Sequence, residues 1–516
     1  MENLIVNLVD MLSRQAGQRP DAPALILPGS VVSYGELDVR VWKAATGLCR
    51  RGVQPGDVVA LTFRNPFALL VAMLATARIG ATVFSVPETL PTLLRAESTQ
   101  RVGADVLLTD IANAGTAGLK TIHFDLEIFT GDAVPMNPDV RDAAPQAPFM
   151  VITGSGSTGK AKVFAITHGQ FQARAALMAG SIELSPFDRL MQASSLDYTS
   201  PKERAVAALQ TGATIMLFSG DRCSPIDLCQ RHRVTVMDVT VFHLESLLAA
   251  LPGDAVEVLP TLRVLQVSAS TVSDGLRQRV KKAICRSLYV RYGTNESGLI
   301  SLARPGDARE HAGTVGRPWP GVQVEVVDSN GQVLAPGVTG YIRVKSPGMI
   351  DGYLGDPHAS REAFREGWFY PGDLCALRQD GRRCHRGRAD QMMIMNGINI
   401  YPAEIEHALA QHPAVRDVAV LALRSDIHQD IPVCAVTLDP RQRVGASDLV
   451  FFAKQRLGAR APKAVAILET IPRTAQGKLL RAPLADAVVA ALRSQATADS
   501  AAPVLAPTTD DPDRLQ

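Results

Sequence analysis

The stretch Phe149-Met-Val-Ile-Thr-Gly-Ser-Gly-Ser-Thr-Gly-Lys-Ala-Lys162 sets an apolar strand before six consecutive Gly, Ser or Thr residues, Gly154 to Gly159, and closes on two lysines. Small residues let backbone amides approach an anion, hydroxyls add donors, and lysines supply charge, so the segment reads as a phosphate cradle. Two familiar phosphate loops share its spacing. Gly154-Ser-Gly156-Ser-Thr-Gly159 fits G-x-G-x-x-G, and Gly154 to Lys160 fits a Walker loop. Both require a helix to start at the loop. Here Val163-Phe-Ala-Ile-Thr favours a strand, and Ala161 stands where a Walker loop needs a hydroxyl for magnesium.

Outward from the loop, β-branched runs alternate with helix-like segments between about residue 20 and 385: DVVALTF, ATVFSV, DVLLTD, ATIMLF, VTVMDVT, LRVLQVS and SLYVRYG. That alternation predicts α/β layers with much parallel sheet. From Gly313 to Cys384 the strands become closely spaced, with a hairpin signal at Ser329-Asn330-Gly331, which predicts a β-rich lobe on the same large domain. A smaller α+β pattern follows. Met392 to Met395 read as a strand, Asn396-Gly397 as a turn, and Pro402 as the first turn of a helix with acidic residues at its positive end.

The expected organisation is therefore a large α/β domain over 1–386, a hinge over 387–391, a small α+β domain over 392–490 and a disordered tail over 491–516, which is poor in large apolar groups. At 516 residues, 46% hydrophobic and 20% charged, the chain can bury more than one core. Lys and Arg total 53 against 51 for Asp and Glu, and no basic run appears, which argues against nucleic acid or an anionic membrane surface as partner. The seven cysteines form no C-x-x-C pair and read as reduced thiols of a cytoplasmic protein. MENLIVNLVDML carries Glu2 and Asp10 and reads as an amphipathic helix rather than a signal peptide. Arg78 and Gly80 interrupt the longest apolar stretch, Ala68 to Val86, so no membrane span is expected and a helix followed by a strand is.

Gly156-Ser157-Thr158-Gly159-Lys160-Ala161-Lys162, followed by Thr167-His168, resembles the phosphate loop of the adenylate-forming superfamily: acyl-CoA synthetases, luciferases and peptide-synthetase adenylation domains. Four more segments resemble that family in the same order. Tyr292-Gly293-Thr294-Asn295-Glu296 resembles its Y-G-x-T-E, and Gly367-Trp-Phe-Tyr-Pro-Gly-Asp373 its W-x-x-T-G-D. Gly387-Arg388-Ala-Asp390 and Asn396-Gly397-Ile-Asn399 resemble the hinge and the start of the mobile C-terminal domain, and Pro472 to Lys478 the P-x-x-x-x-G-K with the adenylation lysine. Ala161, Asn295 and Pro371 depart from the pattern, though the Asn295 amide still donates.

The resemblance implies an ATP- and Mg²⁺-dependent enzyme that joins a small-molecule carboxylic acid to AMP and then passes the acyl group to a thiol. It implies nucleotide contacts from Ser157, Thr158, Gly159, Lys162, Tyr292, Gly293, Asn295, Asp373 and Arg388, with Tyr292 on adenine and Asp373 on ribose. Glu296 would hold Mg²⁺, Lys478 would carry adenylation, Asp390 would be the pivot, and Gly397 would line the thiol tunnel. Val267-Ser268-Ala269-Ser270, Val239 to Phe242 and Thr294 would line a mostly small and apolar acyl pocket, with core packing an equally good explanation for the valines.

The acid itself stays open. Gln192-Ala-Ser-Ser-Leu-Asp-Tyr-Thr-Ser200 lacks the aromatic-His element of many acyl-CoA synthetases. Asp197 is similar to the Asp that binds the α-amino group in amino-acid adenylation domains, but counting back from Gly212 puts that position nearer Thr199. Aryl, aliphatic and amino acids remain as substrates, and CoA or a phosphopantetheinyl carrier protein as acceptor. A scaffold that has lost activity is the remaining class, and the retained Lys478, Asp373, Arg388 and Glu296 count against it.

Overall fold

The computed structural model describes residues 7–112, 114, 118–130, 143–154, 162–217, 224–268, 272–307, 314–395, 398–425, 429–474, 477 and 479–500. The chain divides into two compact units, Met1–Asp390 and Gln391–Gln516.

In the first unit the alternating strands form two large sheets. One runs in the order Arg317–Pro318, Gly298–Ala303, Leu288–Thr294, Val264–Ser268, Val236–Thr240, Arg189–Gln192, Thr214–Met216, Pro23–Leu27, Ser30–Ser33. Its neighbours are parallel from Leu288–Thr294 through Pro23–Leu27 and antiparallel towards both edges. The other runs Lys120–His123, Val106–Thr109, Val58–Thr62, Thr82–Ser85, Pro148–Gly154, Lys162–Thr167, and only the last joins antiparallel. The principal core draws on both sheets and on the helices Tyr34–Arg50, Pro66–Ile79, His168–Ser181 and Thr199–Thr211. Strands enclosed on both faces explain the near-continuous apolar runs of the sequence.

The apolar stretch divides as expected. Asn65 caps the helix Pro66–Ile79, Gly80 ends it at φ +83°, and Thr82–Ser85 is a strand. Arg78 is buried there because it pairs with Asp38 at 3.1 Å and lies over Trp42. The β-rich lobe is an antiparallel sheet of Gln323–Val327, Thr339–Lys345, Phe364–Arg365, Trp368–Phe369, Asp373–Leu377 and Arg383–Arg388. Gly331 turns at φ +83°, Val327 bridges Val333 and Leu334 N donates to Val326 O across the turn, and on its other side Gln323–Val327 pairs along its length with Thr339–Lys345. The short pairing past the turn ends at Ala335-Pro336-Gly337, since proline has no N–H to extend a ladder.

In the second unit, Val415–Ser425 and Gln429–Leu438 form a long antiparallel pair, with Ala464–Ile467 parallel beside it and Met393–Met395 and Ile398–Ile400 beyond. Helix Pro402–Leu409 starts on its proline.

Two boundaries differ from the sequence reading. The first helix is Asp10–Gln18, and Leu8 and Val9 are buried just ahead of it. At the other end, helix Arg481–Ser500 continues through the first ten residues of the expected tail. Leu484, Val488, Ala491 and Leu492 pack on the second unit's sheet, and alanine's high helix propensity carries the helix beyond them. No helix among the described residues is long and apolar enough to cross a membrane.

Candidate active site

Strand Leu288–Thr294 delivers Tyr292 and turns at Asn295-Glu296-Ser297 into Gly298–Ala303. The turn is held from within by Thr294, whose hydroxyl lies 2.9 Å from Ser297 Oγ and accepts from Ser297 N. Gly293 is obligatory here, because a Cβ would meet Gly298 O at 2.4 Å, and a backbone oxygen cannot move aside cheaply.

The turn is also held from below by Arg174, which is fully buried on helix His168–Ser181. Its guanidinium donates to Gly348 O at 2.6 Å, Asn295 O at 2.8 Å and Glu296 O at 2.7 Å. One planar fork thus ties the turn to the segment after Thr339–Lys345. Ile350 N also donates to Glu296 O.

This scaffold fixes two groups of side chains. In the first, the Tyr292 hydroxyl donates to Asp373 Oδ2, Arg388 NH1 lies 3.5 Å from Asp373 Oδ1, and His385 Nε2 lies 3.8 Å from Oδ2. The His385 and Tyr292 rings are 5.5 Å apart. Asp373 begins the strand Asp373–Leu377 and is in register with Arg388 on Arg383–Arg388, so the lobe's hairpin makes the pair. Burial alone would raise the Asp373 carboxyl. Hydrogen bonding and charge from His385, then Tyr292 and Arg388, outweigh it and hold the group below its ordinary value. Burial, and next the Asp373 charge, push the Tyr292 phenol far up, so it serves as a donor. A carboxylate has about four lone-pair sites, which leaves Asp373 room for sugar hydroxyls. Arg388 also donates to Pro371 O at 3.0 Å and to both oxygens of Asp390 at 3.1 Å.

In the second group the Tyr353 hydroxyl donates to Glu296 Oε1 at 3.1 Å, and Lys162 Nζ sits 4.6 Å from the centroid of the same ring. Tyr353 thereby links the lysine that ends the phosphate loop to the carboxylate expected to hold metal. Burial, then the Glu296 charge, raises the Tyr353 phenol well above its ordinary value. Among the described residues no three His, Cys, Asp or Glu side chains form a metal site of their own. A lone Glu296 fits Mg²⁺, which binds through one or two carboxylates and fills its remaining positions with phosphate oxygens and water.

Of the residues singled out in the sequence, Tyr292, Asp373, Arg388 and Asp390 stand together, as do Lys162 and Glu296. Thr294 braces the turn, and Asn295 is exposed with its carbonyl on Arg174. Ser268 ends its strand half-buried. Val239 and Val267 face the apolar core on the sheet's other side instead of a pocket, because side chains alternate along a strand. Ser157, Thr158, Gly159, Ala269, Ser270, Gly397 and Lys478 lie outside the described residues. Three participants went unread in the sequence: Arg174, Tyr353 and His385. Only Arg174 carried a signal, as a charge three residues after Phe171 and four before Met178 on a buried helix face.

Matches to two family models decide what this arrangement belongs to. AMP-binding enzyme matches residues 12–354, and AMP-binding enzyme C-terminal domain matches residues 404–478. The chain is a member of the AMP-binding enzyme family.

The first family match takes in the phosphate loop, Tyr292 and Glu296, and the second ends on Lys478. Among curated relatives, an indoleacetate–CoA ligase of Aromatoleum aromaticum is 28% identical, over 92% of this chain and 96% of that protein. A feruloyl-CoA synthase of an Amycolatopsis species is 29% identical, over 91% and 96%. Among solved structures, O-succinylbenzoate coenzyme A synthetase of Bacillus subtilis in complex with AMP superposes with a TM-score of 0.81 at 26% identity, covering 92% of this chain and 97% of that one. These AMP-binding relatives are CoA ligases by name.

Proposed function

We propose that this AMP-binding enzyme is an AMP-forming acid–CoA ligase that activates a carboxylic acid with ATP and Mg²⁺ and transfers the acyl group to CoA. The observation that carries the reading is the convergence of Asp373, Tyr292 and Arg388 beside Glu296, Tyr353 and Lys162 on one scaffold.

A carboxylate does not react with a thiol directly, because its leaving group is oxide-like. Attack of its oxygen on the α-phosphate of ATP expels pyrophosphate and leaves an acyl group on AMP, which departs readily when a thiol attacks the carbonyl. In this reading Asp373 accepts from the ribose hydroxyls, Tyr292 supports adenine, and Arg388 meets ribose or phosphate. Ser157, Thr158, Gly159 and Lys162 bind phosphate oxygens, and the exposed amide of Asn295 donates to the α-phosphate. Bound Mg²⁺ would neutralise charge on the leaving pyrophosphate, and Glu296, oriented by Tyr353, is the residue to hold it. Lys478 neutralises charge between carboxylate and α-phosphate during adenylation. Asp390 is the pivot about which the C-terminal unit exchanges Lys478 for the face with Gly397, where a side chain would obstruct the pantetheine arm.

CoA is favoured over a carrier protein as acceptor because full-length relatives are named CoA ligases. The six described cysteines are all free thiols, which suits the cytoplasm. Pyrophosphate release measured across aryl, fatty and amino acids, followed by CoA or carrier protein with the best acid, tests the reading. Acid-dependent release and a CoA thioester are expected; no release with any acid would favour a scaffold.

A further inference from the structure

Three neighbouring parallel strands, Arg189–Gln192, Val236–Thr240 and Val264–Ser268, carry polar side chains near their C-terminal ends, where strands enclosed on both faces ordinarily carry apolar ones. Gln192 is in register with Asp238, and Asp238 with Gln266, so the three share one face. Two residues earlier the same face is ordinary core, with Leu190, Val236 and Val264. Helix Thr199–Thr211 covers the row with Arg204, which forms an ion pair with Asp238 and donates from Nε to Gln266 Oε1 at 3.3 Å. Arg204, Asp238 and Gln266 are 2%, 3% and 1% exposed.

The network is neutral but incompletely bonded. Both amide atoms of Gln192 and Nε2 of Gln266 are buried with no hydrogen-bond partner among the described residues. Arg204 and Asp238 meet through NH2 and Oδ2 and so answer each other, whereas the three amide atoms are left over. Buried polar atoms are nearly always bonded, and a cluster of unbonded ones invites an explanation. One pleat further along, about 7 Å, Ser268 stands on the same face, half-buried, and Gln192, Ser200 and Thr294 are half-buried too. Beside it Arg291 bonds Ser200 Oγ and Glu203 Oε2. The polar row thus lies one pleat below half-buried residues at the carboxyl ends of parallel strands, where ligands of α/β sheets bind.

We propose that this row is the far wall of the acyl site and selects a small carboxylic acid whose distal end carries a neutral group that both donates and accepts hydrogen bonds, a hydroxyl or a carboxamide. The proposal rests on the acid–ligase reading. Unbonded donors on Gln192 and Gln266 and the unbonded acceptor on Gln192 match such a group from both sides. The cancelling charges of Arg204 and Asp238 match its neutrality. A methyl or an unsubstituted ring would leave every one of these atoms without a partner. A purely structural role, in which the row only anchors helix Thr199–Thr211, would leave substrate preference indifferent to the amides.

Matched acids test this: 4-hydroxybutanoate against pentanoate, succinamate against 4-methylpentanoate, and 4-hydroxybenzoate against 4-methylbenzoate, each assayed by acid-dependent pyrophosphate release. The polar member should lead by at least about 100-fold in kcat/KM in the pair that fits, since a site built to hydrogen-bond rejects an analogue that cannot. Gln192→Leu, at the margin, and Gln266→Leu, beneath it, should each cut that lead at least about tenfold, with the KM for ATP and the melting temperature as controls for folding. Preference for the apolar members, or a polar preference untouched in Gln192→Leu, overturns the polar wall while leaving the ligase reading intact. No pyrophosphate from any acid overturns the ligase reading, and the polar wall with it.

Discussion

Tyr353 performs two tasks with one ring: its hydroxyl donates to Glu296 and its face supports Lys162. Phenylalanine separates them, because it keeps the ring and loses the donor. A hydrogen bond to a charged group contributes about 1.5–3 kcal/mol, so Tyr353→Phe should raise the KM for MgATP about tenfold with little change in melting temperature. An unchanged KM in an ATP titration would show that Glu296 needs no such orientation. Lys202 is a separate case, fully enclosed and donating to Asp197 O at 2.7 Å. Burial pulls its ammonium down to about 8. Between that value and the ordinary one near 10.4, the unfolded chain binds a proton that the folded chain does not, so stability gains with rising pH across the window. Below pH 8 the buried ammonium is a liability that Lys202→Met lacks. The urea midpoint of the wild type relative to Lys202→Met should therefore climb between pH 7.5 and 10, and a flat difference would refute the assignment.

Among the elements, the hairpin of Leu288–Thr294 and Gly298–Ala303 is the part on which the site depends most, and Arg174 is its anchor. Lysine retains the charge but cannot reach three carbonyls at fork geometry. Arg174→Lys should destabilise the fold by about 3 kcal/mol and raise the KM for ATP, both read from denaturation and kinetics on the same sample. Unaltered values would mean the turn holds itself. The strand following the phosphate loop was legible in Val163-Phe-Ala-Ile-Thr, and the alternation of strands and helices in the β-branched runs, because period and composition are local properties. The motif residues Tyr292, Asp373 and Arg388 were legible through their order. What joins them was not: Tyr353 and His385 act through contacts between segments far apart in the chain, which no spacing encodes. The polar row of Gln192, Asp238 and Gln266 was hidden too, since each residue sits singly in an apolar run and only register aligns them.

For the whole molecule, the passage from the first compact unit to the second falls between Asp390, two residues after Arg388, and Gln391. The proposed assignment of the two half-reactions to different residues of the second unit predicts separable defects. Lys478→Ala should abolish adenylate formation and still convert a supplied acyl-adenylate to thioester, whereas Gly397→Leu should do the reverse. Equal loss of both half-reactions in both variants would contradict the division of labour. Beneath it lies the claim that the acid's own oxygen attacks the α-phosphate. The most direct test supplies a substrate acid labelled with ¹⁸O in its carboxylate, together with ATP, Mg²⁺ and CoA, and weighs the nucleotide product. One labelled oxygen in AMP for each thioester formed is the expected result; label in inorganic phosphate with ADP as product, or AMP free of label, would contradict it.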